Sequence, residues 1–309
     1  MIERAANSPL GRAIASNLGL YACAVLIWGS TWLVIKFQLG SVAPAVSVAW
    51  RFGAAALVLF ALSLYRGVPL GFDARTHAWL ALQGLLLYSA GYVLIYLSEL
   101  SLPSGMVAVT FSLVILCNIG FQRIFFGVPM KPHILAGGCL GIAGVALLFW
   151  PDLTRLSLSA DRRLGLLFCV LSTVIASLGN MAAMRNHRHG IPVVAGNAWA
   201  MLYGSLFVAA YVALSGQRFS FDPSLRYVAS LLYLALFGSV IAFVAYLTLL
   251  GRIGVDRAGY SGVATPMVAM GLSTWFESLQ WDAWIFGGMS LCLAGNLMVL
   301  GKDRGIGRA

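Results

Sequence analysis

A chain of 309 residues, 60 % hydrophobic and only 10 % charged, falls far below the roughly one-quarter charged residues of ordinary soluble proteins. That excludes a soluble globule. The net charge of +10 does not mark a nucleic-acid binder either, because Lys and Arg sit in short clusters between apolar runs rather than along one face.

Arg4 and Arg12 ahead of an apolar run have the outline of a secretory signal. The run 18–37, however, is long enough to span a bilayer, carries Trp28 and Trp32 and ends at Lys36, which fits an uncleaved first span. Further helices are expected over 43–65, 77–98, 102–122 and 132–150, then over 164–184, 192–214, 226–250, 257–276 and 283–301. The breaks are punctuated by Gly67 and Pro69, Pro103, Pro129 and Pro132, Pro151, Gly190 and Pro192, Gly216 and Pro223. Unbroken apolar runs favour helix over strand, and a lipid-exposed backbone must satisfy its own hydrogen bonds. The fold class is therefore an all-α integral membrane protein of ten transmembrane helices.

Lys and Arg alternate between the ends of these spans. One side holds Arg4, Arg12, Arg66, Arg75, Arg123, Lys131, Arg185, Arg188, Arg252, Arg257, Lys302, Arg304 and Arg308; the other holds Lys36, Arg155, Arg162, Arg163, Arg218 and Arg226. The positive-inside rule then predicts a multi-pass protein with both termini cytoplasmic. The second five spans echo the first: Ile134, Gly137, Leu140, Ala143 and Gly144 recur as Ile285, Gly288, Leu291, Ala294 and Gly295, and Ser89, Tyr96 and Leu97 as Ser239, Tyr246 and Leu247. An odd number of spans per unit inverts the second against the first. The expected organisation is a cytoplasmic segment 1–17, a five-helix repeat 18–150, an outer linker 151–163, a second repeat 164–301 and a cytoplasmic tail 302–309.

Candidate cargo contacts follow from residue types that are costly in hydrocarbon. Tyr88, Tyr92 and Tyr96 recur every four residues along about 12 Å of one helix face, and a buried tyrosine hydroxyl needs a partner, in a wet cavity or on a neighbouring helix. Trp28, Trp32, Asn180, Trp199, Tyr203, Tyr246 and Tyr260 complete the candidate substrate-binding set. Trp50, Asn118 and Asn197 belong to the same aromatic and amide group. Such rings stack against an aromatic or flat cationic cargo. Trp79, Trp150, Trp281 and Trp284, near span ends, read as interfacial belts. Arg51 is the one charge within a span, placed either to hold a substrate carboxylate or to fix neighbouring helices.

All ten acidic residues fall in loops, tails or at helix ends, so no mid-membrane carboxylate carries a proton. Movement is expected to be gradient-driven, or coupled through a helix-end group such as Glu277 or Glu99. The four histidines lie in or beside connections, and the five cysteines inside apolar runs read as packing residues. Without HExxH, GxSxG or paired intramembrane aspartates, neither catalysis nor a metal or other cofactor is expected. Glycines in helices five and ten point to close helix crossings, and Pro266 inside helix nine to a hinge.

Trp28, Gly29, Ser30 and Thr31 in helix one, Arg51 and Phe52 in helix two, and Ala258, Gly259 and Tyr260 through Pro266 to Glu277 resemble the drug/metabolite transporter superfamily, in particular its EamA-type ten-helix members. Within that group the chain is most similar to bacterial aromatic amino acid exporters. It departs in helix four: Val109 to Leu113 contain no proline, and Arg123 to Gly127 stand where an acidic residue is expected. The resemblance implies a carrier in a bacterial inner membrane, working by alternating access on a small-molecule substrate. Aromatic amino acids come first and lipophilic cations second, with a channel as the reading from another class. The sequence sets no oligomeric state.

Overall fold

In the computed structural model, which describes residues 16–127, 129, 132–151, 160–253 and 261–301, the apolar runs form ten helices. They are α1 (Asn17–Lys36), α2 (Pro44–Tyr65), α3 (Ala74–Glu99), α4 (Ser104–Phe126), α5 (Pro132–Leu148), α6 (Ala160–Arg188), α7 (Val193–Leu214), α8 (Leu225–Ile253), α9 (Ser261–Phe276) and α10 (Ala283–Gly301). Among the described residues, α1 to α4, α6, α7 and most of α8 are long and apolar enough to cross a membrane; α5 and α10 are shorter apolar helices. The chain is a multi-pass membrane protein.

The predicted helices stand to within a few residues, with one change. Helix α6 starts at Ala160 and runs to Arg188, so part of the expected linker is helical and both charged ends continue the helix. The rest of that linker, both tails, Tyr260 and the start predicted for helix nine lie outside the described residues.

Local chemistry sets the ends. The Ser16 hydroxyl accepts from Gly19 N–H at 3.0 Å, Asp73 from Thr76 N–H at 2.9 Å and Ser224 from Tyr227 N–H at 3.3 Å, each satisfying an orphan donor of the first turn. Gly67 (φ 64°) and Gly216 (φ 68°) follow α2 and α7 in the left-handed conformation that ends a helix without a Cβ clash.

Two helices are irregular at matching places. A π-helical segment occupies Gly84–Ala90 within α3 and another Tyr233–Ile241 within α8. Helix α4 tightens at Ser112 and Leu113, where Leu113 N–H bonds Thr110 O at 3.2 Å and Ile115 N–H bonds Ser112 O at 3.2 Å. These i to i−3 bonds are 3₁₀ in character, so α4 is interrupted at Ser112 and Leu113.

The helices pack as α5 with α10, α2 with α7, α4 with α9, α1 with α8 and α9, α6 with α3 and α4, α3 with α7, and α8 with α2. Exchanging each helix for the one five places along maps these pairings onto themselves, while the further pairings of α2 with α3 and of α1 with α4 have no such counterpart among the described residues. Glycines set close crossings: a Cβ on Gly288 would stand 2.6 Å from Gly144 O and Leu148 N, and one on Gly144 2.7 Å from Cys292 N. Small residues thus bring the α5 and α10 backbones together. One core cluster, including Phe52, Tyr96, Met201 and Leu234, fills the space among α2, α3, α7 and α8; a second, including Met106, Phe149, Met270 and Cys292, joins α4, α5, α9 and α10.

Candidate functional site

Helices α1 to α4, α6, α8 and α9 surround a cavity of about 850 Å³, large enough for a drug-sized molecule. Its walls are aromatic. Trp28 meets Tyr246 at 5.2 Å and Phe243 at 5.9 Å; Trp32 meets Phe111 at 5.3 Å; Phe52 meets Tyr92 at 4.8 Å and Tyr88 at 5.2 Å. Beside the tyrosines and tryptophans the polar groups are few: Thr31, Ser112, Asn118, Gln122, Asn180, Ser239, Ser261 and Thr265. Asn118 Oδ1 accepts from Ser177 Oγ at 2.8 Å and from Asn180 Nδ2 at 3.2 Å, fixing that amide pair on the wall. Among the described residues, the lining contains no Asp or Glu.

The helix-one segment Trp28 to Thr31 has a physical reason. A Cβ on Gly29 would stand 2.5 Å from Val268 Cβ, so Gly29 lets α1 lie directly on α9. Trp28 Nε1 donates to Gly238 O at 3.2 Å, and Ser30 Oγ shares a 2.7 Å hydrogen bond with Tyr233 OH, tying α1 to the π-helical segment of α8. Between these anchors Trp28 and Thr31 face the cavity.

Arg51 is buried, 2 % exposed. Its guanidinium lies 4.6 Å above the Tyr92 ring and 5.2 Å above the Phe52 ring, both cavity residues. Nε reaches Ser239 Oγ at 3.5 Å, and Nη1 has no hydrogen-bond partner. A buried, incompletely satisfied cation thus stands directly behind the aromatic wall.

The expected tyrosine face divides. Tyr92 lines the cavity. Tyr88 offers its ring to the lining while its hydroxyl donates to Asn197 Oδ1 at 2.6 Å, joining a buried network with Gln83 and Asn186. Tyr96 is fully buried and donates to Gln38 Oε1 at 2.6 Å, outside the lining. Trp28, Trp32, Asn180, Tyr246 and Pro266 all line the cavity. Trp199 and Tyr203 do not: Trp199 Nε1 donates to Leu70 O at 2.9 Å, and Tyr203 OH pairs with His77 Nδ1 at 2.9 Å, at the end where α2 passes into α3. Replacing Trp199 with Phe is therefore expected to cost one hydrogen bond, about 1 kcal/mol, seen as a lower melting temperature, while cargo affinity in a binding titration is unchanged. Phe52, Phe111, Phe243 and Gln122 were not expected in the lining; phenylalanine faces lipid as readily as a cavity, so its type carries no signal.

The cavity is asymmetric along the bundle. It reaches Gln122, Pro129 and Ile134 at one end, whereas Trp32, Ile95 and Ala108 are its last lining residues on α1, α3 and α4 toward the other. One turn beyond these three lie Lys36, Glu99 and Ser104. Lys36 Nζ donates to Leu102 O at 2.7 Å and to Glu99 O, and lies 3.4 Å from Glu277 Oε1. Glu277 accepts from Ser104 N–H at 3.0 Å and from Ser104 Oγ. Glu99 is at a helix end, as expected, yet it is fully buried, which the sequence reading did not foresee.

An all-helical membrane bundle around a central aromatic cavity, closed at one end by a polar joint, defines a membrane transporter. Residues 17–150 and 163–301 each match the EamA-like transporter family, and the chain belongs to that family. It is 30 % identical over 295 residues to the uncharacterized inner membrane transporter YedA of Escherichia coli (strain K12), covering 94 % of this chain and 93 % of that protein. It is 22 % identical to the uncharacterized transporter YoaV of Bacillus subtilis (strain 168), covering 79 % and 83 %. A solved crystal structure shares the fold with a TM-score of 0.64 at 21 % identity, covering 90 % of this chain and 94 % of that one.

Proposed function

We propose that the protein exports small amphipathic metabolites, aromatic amino acids foremost, by alternating access between two inverted five-helix repeats, with both termini in the cytoplasm of a bacterial cell. The observation that carries the cargo class is the cavity wall: three aromatic groups for a flat ring, with Arg51 and its unpartnered Nη1 behind Tyr92 for a carboxylate. A lipophilic cation finds the rings but no lining carboxylate among the described residues. The double family match and the self-mapping helix pairings support the duplicated architecture. With the termini inside, the Gln122 end of the cavity faces the cytoplasm and the Lys36 end is the closed outer mouth.

Purified protein in liposomes tests this. Saturable flux and counterflow of tryptophan and phenylalanine, with alanine and a flat dication far slower, is the expected result. Conductance that does not saturate would make it a pore. Trp32→Ala, which removes the ring facing Phe111, is expected to weaken tryptophan affinity by about tenfold, in line with about 1–1.5 kcal/mol for an aromatic pair.

A further inference from the structure

Lys36, Glu99, Ser104 and Glu277 bring three ionisable groups from α1, α3 and the end of α9 into one layer. Two carboxylates share one ammonium, and they share it unequally. Glu277 holds the Lys36 ion pair at 3.4 Å and both Ser104 donors. Glu99 gives Lys36 only its backbone carbonyl; its carboxyl oxygens Oε1 and Oε2 are both buried without a hydrogen-bond partner. Of the other ionisable groups near Glu99, Tyr96 donates to Gln38 and Cys169 Sγ donates to Val107 O, while Arg51 lies over Tyr92 with its Nη1 unpartnered and gives Glu99 no hydrogen bond. With Glu99 neutral, the Lys36 and Glu277 charges cancel. With Glu99 ionised, a fully buried carboxylate remains without a hydrogen bond, a costly arrangement in a protein interior.

We propose that Glu99 is a proton-binding site that latches this mouth. It carries a proton while the mouth is closed and releases it as the mouth opens, when Glu277 parts from Ser104 and Lys36 exchanges the Glu277 carboxylate for that of Glu99. Protonation and closure are thereby linked. Acid favours the closed mouth, and raising the pH favours opening, by at most about tenfold in the open-to-closed ratio per pH unit for one proton. Ile95, one turn below Glu99, is the last lining residue on α3, so the proton exchanges on the far side of the cavity from Gln122. The proposal rests on the alternating-access reading only in requiring that this mouth opens.

Full-length protein in lipid nanodiscs tests it without any cargo. Infrared spectra are expected to contain a protonated-carboxyl C=O band at neutral pH that vanishes in Glu99→Gln. Spin labels on Leu100→Cys and Gln280→Cys, in a background with the native cysteines replaced by alanine, straddle the mouth between exposed positions. Their separation is expected to gain a longer population as the pH rises, and to stay short at every pH in Glu99→Gln. A wild-type spectrum without the band, or a pH response unchanged in Glu99→Gln, overturns the proposal. A single short separation at every pH alongside intact tryptophan counterflow also overturns it while leaving the carrier standing. A normal pH response in a protein that moves no tryptophan instead removes the cargo reading.

Discussion

Replacing Arg51 with Gln is expected to slow tryptophan flux by about 10- to 100-fold, the worth of a charge-assisted hydrogen bond of roughly 1.5–3 kcal/mol. The sharper readout is selectivity. Tryptamine keeps the indole and lacks the carboxylate, so wild-type protein should favour tryptophan over it and the variant should lose that preference. The fold should survive, since Gln removes a buried charge whose Nη1 has no partner and leaves the packing against Phe52 and Tyr92 largely in place. Competition of the two compounds against labelled phenylalanine measures the ratio, and thermal melting checks the fold. An unchanged ratio would assign Arg51 to holding α2, α3 and α8 together.

The second large effect is structural. Gly288→Val is expected to cost about 3 kcal/mol or more, because even the first added carbon meets Gly144 O and Leu148 N at 2.6 Å, both backbone atoms that cannot swing aside. Gly138, on the same helix pair, is the control. A Cβ there meets nothing nearer than Leu116 Cδ2 at 3.7 Å, so Gly138→Ala should be neutral or stabilising by up to about 1 kcal/mol. Size-exclusion profiles after heating distinguish the two: loss of the monodisperse peak at a much lower temperature for Gly288→Val, and none for Gly138→Ala.

The helices were legible because hydrocarbon allows a chain few choices. An apolar run of span length must satisfy its own backbone, so α1 appears at Asn17–Lys36 against an expected 18–37. The ends of α6 were drawn too short because charged side chains at Arg162 and Arg185 stop an apolar run without stopping a helix. The cavity was half legible. Trp28, Trp32, Tyr92 and Tyr246 face it, as their cost in lipid implied. The four-residue spacing of Tyr88, Tyr92 and Tyr96 brought two of the three rings to the lining; Tyr96, one turn on in the regular α-helix Gly91–Glu99, lies past Ile95, the last lining residue on α3. Trp199 and Tyr203 have the right type and the wrong azimuth on α7, which no single-chain periodicity fixes. Glu99 was seen as a helix-end acid; that three helix ends converge on it is a fact of tertiary packing alone.

The paired wide turns of α3 and α8 give the bundle two internal swivels. A π turn holds one residue more than the α turn it replaces, so tightening it would wind everything beyond it by about 100°. In α3 that segment carries Tyr92, Tyr96 and Glu99; in α8 it follows Gly238 and Ser239 and carries Phe243 and Tyr246. Gripping and letting go would then be a matter of torsion about two rods, with every backbone hydrogen bond re-formed one notch along and none surrendered to oil.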